Sequence, residues 1–156
     1  MKINKKASRN ENLYVFSHEH HHGLVFAVRL KKASQTSTET LKKYVLHFWD
    51  SALDAHFKNE EELFLHLLAN KDIKTQFLRE HKLINSLVND IQSANEDIIQ
   101  KAEELSDQLK LHIKFEEKVL FPWLQDNLSP DELYQIGESL KSIEVKAHEF
   151  EPKFWE

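Results

Sequence analysis

The chain has 156 residues, a formal net charge of −5, 10 histidines, 2 glycines, 3 prolines and no cysteine. That length suits one domain with a sizeable core, and so few chain breakers disfavour an all-β fold and favour long helices. The lack of cysteine excludes disulfides, thiolate metal sites and iron–sulfur clusters, and the acidic balance gives no reason to expect nucleic acid or an anionic membrane as partner.

The N-terminal stretch MKINKKASRNENLYVF is basic but lacks the apolar core of a signal peptide. No apolar run approaches the roughly 20 residues that span a bilayer. The expectation is a soluble, cytoplasmic protein forming one domain over 1–156. Residues 1–12 are polar and expected to fray. Ser17 is placed to N-cap a first helix, SHEHHHGLVFAVRLKKA, reaching about Ala33 with Leu24, Val25 and Val28 on one face.

SQTSTET reads as a connection, with Thr38 or Thr40 capping a second helix that runs to about Ala69. Its buried side is marked by Leu41, Val45, Phe48, Ala52, Ala55 and Leu63. A turn at Asn70 to Asp72 leads to a third helix ending near Ile91. The pattern pauses at SANED, and a fourth helix runs from about Glu96 to Gln125 with Ile98, Leu105, Leu109, Ile113, Leu120 and Leu124 as its stripe. SPDE then sets Ser129 at N-cap, Pro130 at N1 and Glu132 at N3, a capping box opening a fifth helix to about Ala147. The aromatic tail HEFEPKFWE is expected to pack across the bundle or against a protein partner, a second copy included.

Short connections between long helices predict an all-α, up-down-up-down antiparallel four-helix bundle with a short extra C-terminal helix. The bundle core spans about 17–127, and the C-terminal helix and tail about 129–156.

Two segments repeat one another. HFKNEEELFLHLL from His56 and HIKFEEKVLFPWL from His112 align without a gap, matching His56 with His112 and Glu60 with Glu116. A His and a Glu at i, i+4 project from one helix face. At about 1.5 Å per residue, these positions fall at one depth of the bundle together with His81 of REHKLI and the HEHHH run. An isolated His/Glu pair is usually a surface ion pair worth a few tenths of a kcal/mol, but two aligned pairs at one depth are not expected of scattered surface histidines.

Imidazoles and carboxylates without thiolate are typical of non-haem iron. The first-helix choice falls on the i, i+4 pair His18 and His22, with His21 as the alternative and His20 assigned to solvent. Together with His56, His81, His112, Glu60 and Glu116 this makes five imidazoles and two carboxylates. That set exceeds one ion's needs and suits two iron ions bridged by the glutamates. His47 and His66 read as ordinary bundle histidines. Glu61 and Glu117 are expected to pair with lysines, although Glu117 is the alternative to Glu116.

The order SHEHHHGL, HFKNEEELF, REHKLI and HIKFEEKVLFP over about 17–124 resembles the hemerythrin-like, or HHE cation-binding, domain family. The resemblance implies a four-helix bundle around a non-haem di-iron centre, used for oxygen binding, oxygen or redox sensing, iron handling or nitrosative-stress responses. It also implies that oxygen-carrying relatives draw two histidines from the third helix at i, i+4, where this chain has Asn85 after His81. The functional expectation is a binding protein that binds or senses dioxygen or another small diatomic, with no residue assigned to catalysis. The alternatives are a di-iron enzyme acting on peroxide or nitric oxide or donating iron, and a helical interaction module with a structural metal.

Overall fold

The computed structural model describes residues 8–156. The described residues form a helical bundle without a strand, in the order α1 (Tyr14–Leu30), α2 (Thr38–Phe48), α3 (Asp54–Phe64), α4 (Lys71–Ser93), α5 (Ile98–Phe115), α6 (Phe121–Asn127) and α7 (Pro130–Leu140). Two π-helical turns, Trp49–Leu53 and Glu116–Leu120, join α2 to α3 and α5 to α6 without a break. The second and fourth expected helices are therefore continuous rods with a widened turn inside each. Pro122 lies just past the second of these turns and cannot donate to the helical ladder, which locates the irregularity.

Side-chain caps set the starts. Ser37, not Thr38 or Thr40, accepts from the Thr40 amide to open α2, and Asn70 accepts from the Ile73 amide to open α4. The Ser129/Glu132 capping box opens α7, whose helix ends at Leu140, short of Ala147. Asp97 begins α5 from a left-handed conformation, φ 58°, which a short polar side chain tolerates.

At the N-terminus the expectation changes most. Residues 1–7 of the segment expected to fray lie outside the described residues. Arg9 and Asn10, within the same segment, are anchored: Arg9 donates to Gln125 Oε1 at 2.8 Å and to the Glu117 carbonyl at 2.7 Å. The Asn10 amide also donates to Gln125 Oε1, at 3.0 Å. A 3₁₀ turn, Glu11–Leu13, leads into α1, so Ser17 lies inside the helix, and its hydroxyl donates to Glu117 Oε2 at 2.8 Å.

The face of α1 is also corrected. Phe16, His20, Gly23, Ala27 and Leu30 point inward, whereas Leu24 and Val28 are 39% and 56% exposed. This stripe advances by four, three, four and three residues, the spacing of a helix packed along its length. Gly23 allows the approach of α5: a Cβ there would lie 3.1 Å from Ile113 Cδ1.

Helix α5 packs against both α1 and α4, α2 packs against α4, and α7 lies on the N-terminal 3₁₀ turn. The apolar core falls into two clusters. One gathers Phe26, Leu30, Val45, Phe48, Leu87, Leu105 and Leu109, and the other Phe16, Phe64, Phe77, Leu120, Phe121 and Ile136. The tail returns to the first, where Phe154 is buried, Phe150 and Trp155 pack around Tyr44, and Arg29 lies 4.1 Å from the Trp155 ring centre. No helix among the described residues is long and apolar enough to cross a membrane.

Candidate metal centre

Between the two apolar clusters lies a polar slab. Seven polar or charged side chains are buried among the described residues, and six of them, His20, His56, Glu60, His81, His112 and Glu116, meet there. The seventh, Ser106, is satisfied by donating to the Ala27 carbonyl at 2.6 Å. Uncompensated burial of two carboxylates would be very costly, so the slab exists because its groups face one another.

The four imidazoles point Nε2 inward toward the two carboxylates. His56 Nε2 stands 3.2 Å from Glu60 Oε2 and 4.0 Å from Glu116 Oε1, and His20 Nε2 is 3.7 Å and 2.7 Å from the same two oxygens. On the other side, His81 Nε2 is 3.2 Å from Glu60 Oε1 and 3.7 Å from Glu116 Oε2, and His112 Nε2 is 3.1 Å from Glu116 Oε2. Each carboxylate thus offers one oxygen to each histidine pair. The ligand atoms form two compact groups, His20, His56, Glu60 and Glu116, and Glu60, His81, His112 and Glu116, with both glutamates common to the two.

These contacts are close but are not, for the most part, hydrogen bonds. Both Glu60 oxygens, Glu116 Oε2, His81 Nε2 and His112 Nε2 are buried without a hydrogen-bond partner. Buried polar atoms are rarely left so. Donor atoms that converge on a common point instead of on each other are what a cation requires, and imidazole with carboxylate suits a divalent transition metal. The residues fit a bound metal.

The outer nitrogen of every imidazole is held by a second carboxylate. Glu19 bonds His56 Nδ1 at 2.8 Å, Glu61 bonds His81 Nδ1 at 2.7 Å, Glu80 bonds His112 Nδ1 at 2.7 Å, and Glu117 bonds His20 Nδ1 at 2.6 Å. With Nδ1 donating, the lone pair is left on the inward Nε2, the tautomer that a metal takes. The four pairs close a ring. α1 orients a histidine of α3, α3 one of α4, α4 one of α5, and the π turn after α5 orients His20 of α1.

Charges follow the same geometry. Burial alone would lower His56 and His81, but Glu60 and Glu19 raise the first to about 9, and Glu116 and Glu60 raise the second to about 10. Burial and the neighbouring Glu116 charge push Glu60 up, yet the imidazoles, His56 foremost, hold it below the usual carboxylate range. Glu116 is likewise held well below that range against its burial, chiefly by His112.

His56, Glu60, His81, His112 and Glu116 are brought together. His18 and His22 are not: His18 is exposed and His22 only half-buried, while His20, expected in solvent, is 4% exposed and occupies the slab. The reason is the α1 stripe, which runs through positions 16, 20 and 23, so that His18 and His22 turn outward. The imidazole count is therefore four, not five, and His21 is exposed as well. Glu61 and Glu117, expected to pair with lysines, pair with His81 and His20, and Arg9 also bonds Glu117. Sequence reasoning missed Glu19 and Glu80. Their signal was that each stands beside an inner histidine in EH, the counterpart of the EE pairs.

A cavity of about 240 Å³ adjoins the slab, with His20, His56 and His112 on its inner wall. Phe48, Leu53, Leu109 and Ile113 make it largely apolar, and residues 143–146 with His148 form its outer wall. Residues 51–53 of the first π turn border it, a placement common for such turns at functional sites.

The family model described as the hemerythrin HHE cation binding domain matches residues 72–154. The matched stretch contains His81, His112 and Glu116, and His20, His56 and Glu60 precede it. No curated protein and no solved structure matches the chain significantly. With more than half of its length matched and a buried His/Glu cluster of metal-binding geometry, the chain belongs to the hemerythrin HHE cation-binding domain family.

Proposed function

We propose that the chain is an up-down-up-down four-helix bundle holding two non-haem iron ions, and that it binds or senses dioxygen or another small diatomic in the adjoining cavity. The observation that carries this reading is the sharing of both glutamates between two four-residue groups. Glu60 and Glu116 would be shared by the two ions, His20 and His56 would hold one, and His81 and His112 would hold the other. The absence of thiolate and the mixture of imidazole with carboxylate favour iron. Two divalent ions would bring four positive charges into a dry slab. The bridging glutamates supply two negative charges there, and Glu19, Glu61, Glu80 and Glu117 place four more one shell out.

Bound iron would supply the redox chemistry and the affinity for a diatomic. The protein supplies the surroundings. Phe48, Leu53, Phe57, Leu109 and Ile113 exclude water and suit an apolar gas, and the ring of carboxylates fixes each imidazole before the ligand arrives. Turnover of peroxide or nitric oxide at the same site is the second reading. It is favoured by the cavity volume, which is several times the roughly 30 Å³ of one water, and by the polar Glu19, Ser51 and Asn59 on its wall.

Metal analysis tests the proposal directly. Iron-reconstituted protein is expected to carry two ions per chain, one for each ligand group. Because the glutamates are shared, Glu60→Ala or Glu116→Ala should remove both ions, whereas His81→Ala should weaken chiefly one. A wild-type stoichiometry of one or none overturns the reading. Peroxide and nitric oxide consumption, compared with a His56→Ala/His112→Ala control, decides between binding and turnover.

A further inference from the structure

The i, i+4 histidines of the first helix are left over by the buried centre, and one of them, His22, lines the cavity beside it. His18 and His22 have ring centres 5.3 Å apart on the outer side of α1, and His148 of the tail stands 6.4 Å from His22. The inner pairs give a scale: His20 and His56 are 5.1 Å apart and His81 and His112 are 4.8 Å apart. Two imidazoles on one ion, with metal–nitrogen bonds near 2.1 Å, have ring centres roughly 5 Å apart at a tetrahedral angle and farther at wider angles. The outer spacings lie in that range. The 6.4 Å of His22 and His148 stands at the wide-angle end, and the three side chains do not converge as the two buried groups do, so an ion there would draw them together; His148 lies in a segment outside any helix.

His22 and His148 also line the cavity whose inner wall carries His20, His56 and His112. An ion at the mouth is therefore one cavity away from the buried ligands. Glu19 and Glu144 at the same wall favour a cation, and Lys146 opposes it. We propose that His18, His22 and His148 form an outer site for an imidazole-preferring divalent transition metal, through which ions enter the cavity and load the buried centre. The route rests on the reading of the buried cluster as a two-metal site. The outer site itself does not.

The test is a Co²⁺ titration of the metal-free full-length chain, followed by calorimetry and visible absorption, with loading timed by stopped flow. Wild type is expected to take up two ions tightly and one more weakly. His18→Ala/His22→Ala, on a face where neither residue supports the core, should lose only the weak ion. It should also load the buried centre roughly tenfold more slowly, because a cation held at the mouth reacts at raised effective concentration. His148→Ala should do the same to a lesser degree. Tight uptake in wild type without a weak ion, a weak ion that survives in the double variant, or an unchanged loading rate overturns the proposal. Failure of wild type to take up any tight ion overturns instead the reading of the buried cluster, and the loading route with it.

Discussion

His56 shows how one side chain is set by its surroundings. Its Nδ1 is fixed by Glu19, and its Nε2 faces Glu60 and Glu116, so its orientation is determined before any metal binds and Nε2 is the nitrogen that gives up its proton to one. Removing such an outer carboxylate should cost metal affinity more than stability: Glu80→Ala, which frees His112 Nδ1, is expected to weaken binding by about 10–100-fold in a competition assay with a chromophoric chelator. In the metal-free protein the same histidines act as cations between the glutamates. His56 and His81 are raised from the ordinary 6.5 to about 9 and about 10. Their stabilisation is therefore complete below about pH 6.5 and is lost as pH rises through 9 to 10. Glu60 and Glu116, held low, lose theirs as pH falls below roughly 4.5. Urea midpoints of the metal-free protein should peak between these limits and decline toward pH 10. Bound metal should reverse the trend on the alkaline side, because binding competes with protons on the same nitrogens.

Among the elements, α1 was the hardest to read. Its apolar residues Leu24, Val25 and Val28 form a face by hydropathy, but the stripe that packs contains His20 and Gly23, which hydropathy does not mark. The inward face joins the apolar Phe16, Ala27 and Leu30 to His20, with Gly23 where Ile113 of α5 approaches. Gly23→Leu should accordingly drive α1 from α5, with a loss of about 1–3 kcal/mol by chemical denaturation, because the added atoms meet Ile113. In α3 and α5 the aligned His/Glu pairs identified the inward face correctly, since His56 with Glu60 and His112 with Glu116 reinforce the leucine and phenylalanine stripe. The π turns were not legible, except that Pro122 marks where the second must occur. Capping chemistry is local and was the easiest to read: the SPDE box appears as expected.

At the scale of the whole molecule, the tail completes the site. Residues 143–146 and His148 wall the cavity, and Phe150, Phe154 and Trp155 cover Tyr44. Burial raises the Tyr44 hydroxyl above its ordinary value despite Arg29. Truncation after residue 142 should therefore bring Tyr44 back toward about 10 in a spectrophotometric titration, lower the melting temperature and open the cavity to solvent. The helical class, the repeated His/Glu boxes and the metal-binding chemistry of their residues were determined by the sequence alone, because periodicity and ligand type are properties of short segments. Which histidine of HEHHH turns inward, which glutamate orients which imidazole and what walls the cavity were decided only by tertiary structure. Each of these depends on the rotation of one helix against another, and a rotation of about 100° per residue lets a single step along the chain exchange a buried ligand for an exposed side chain.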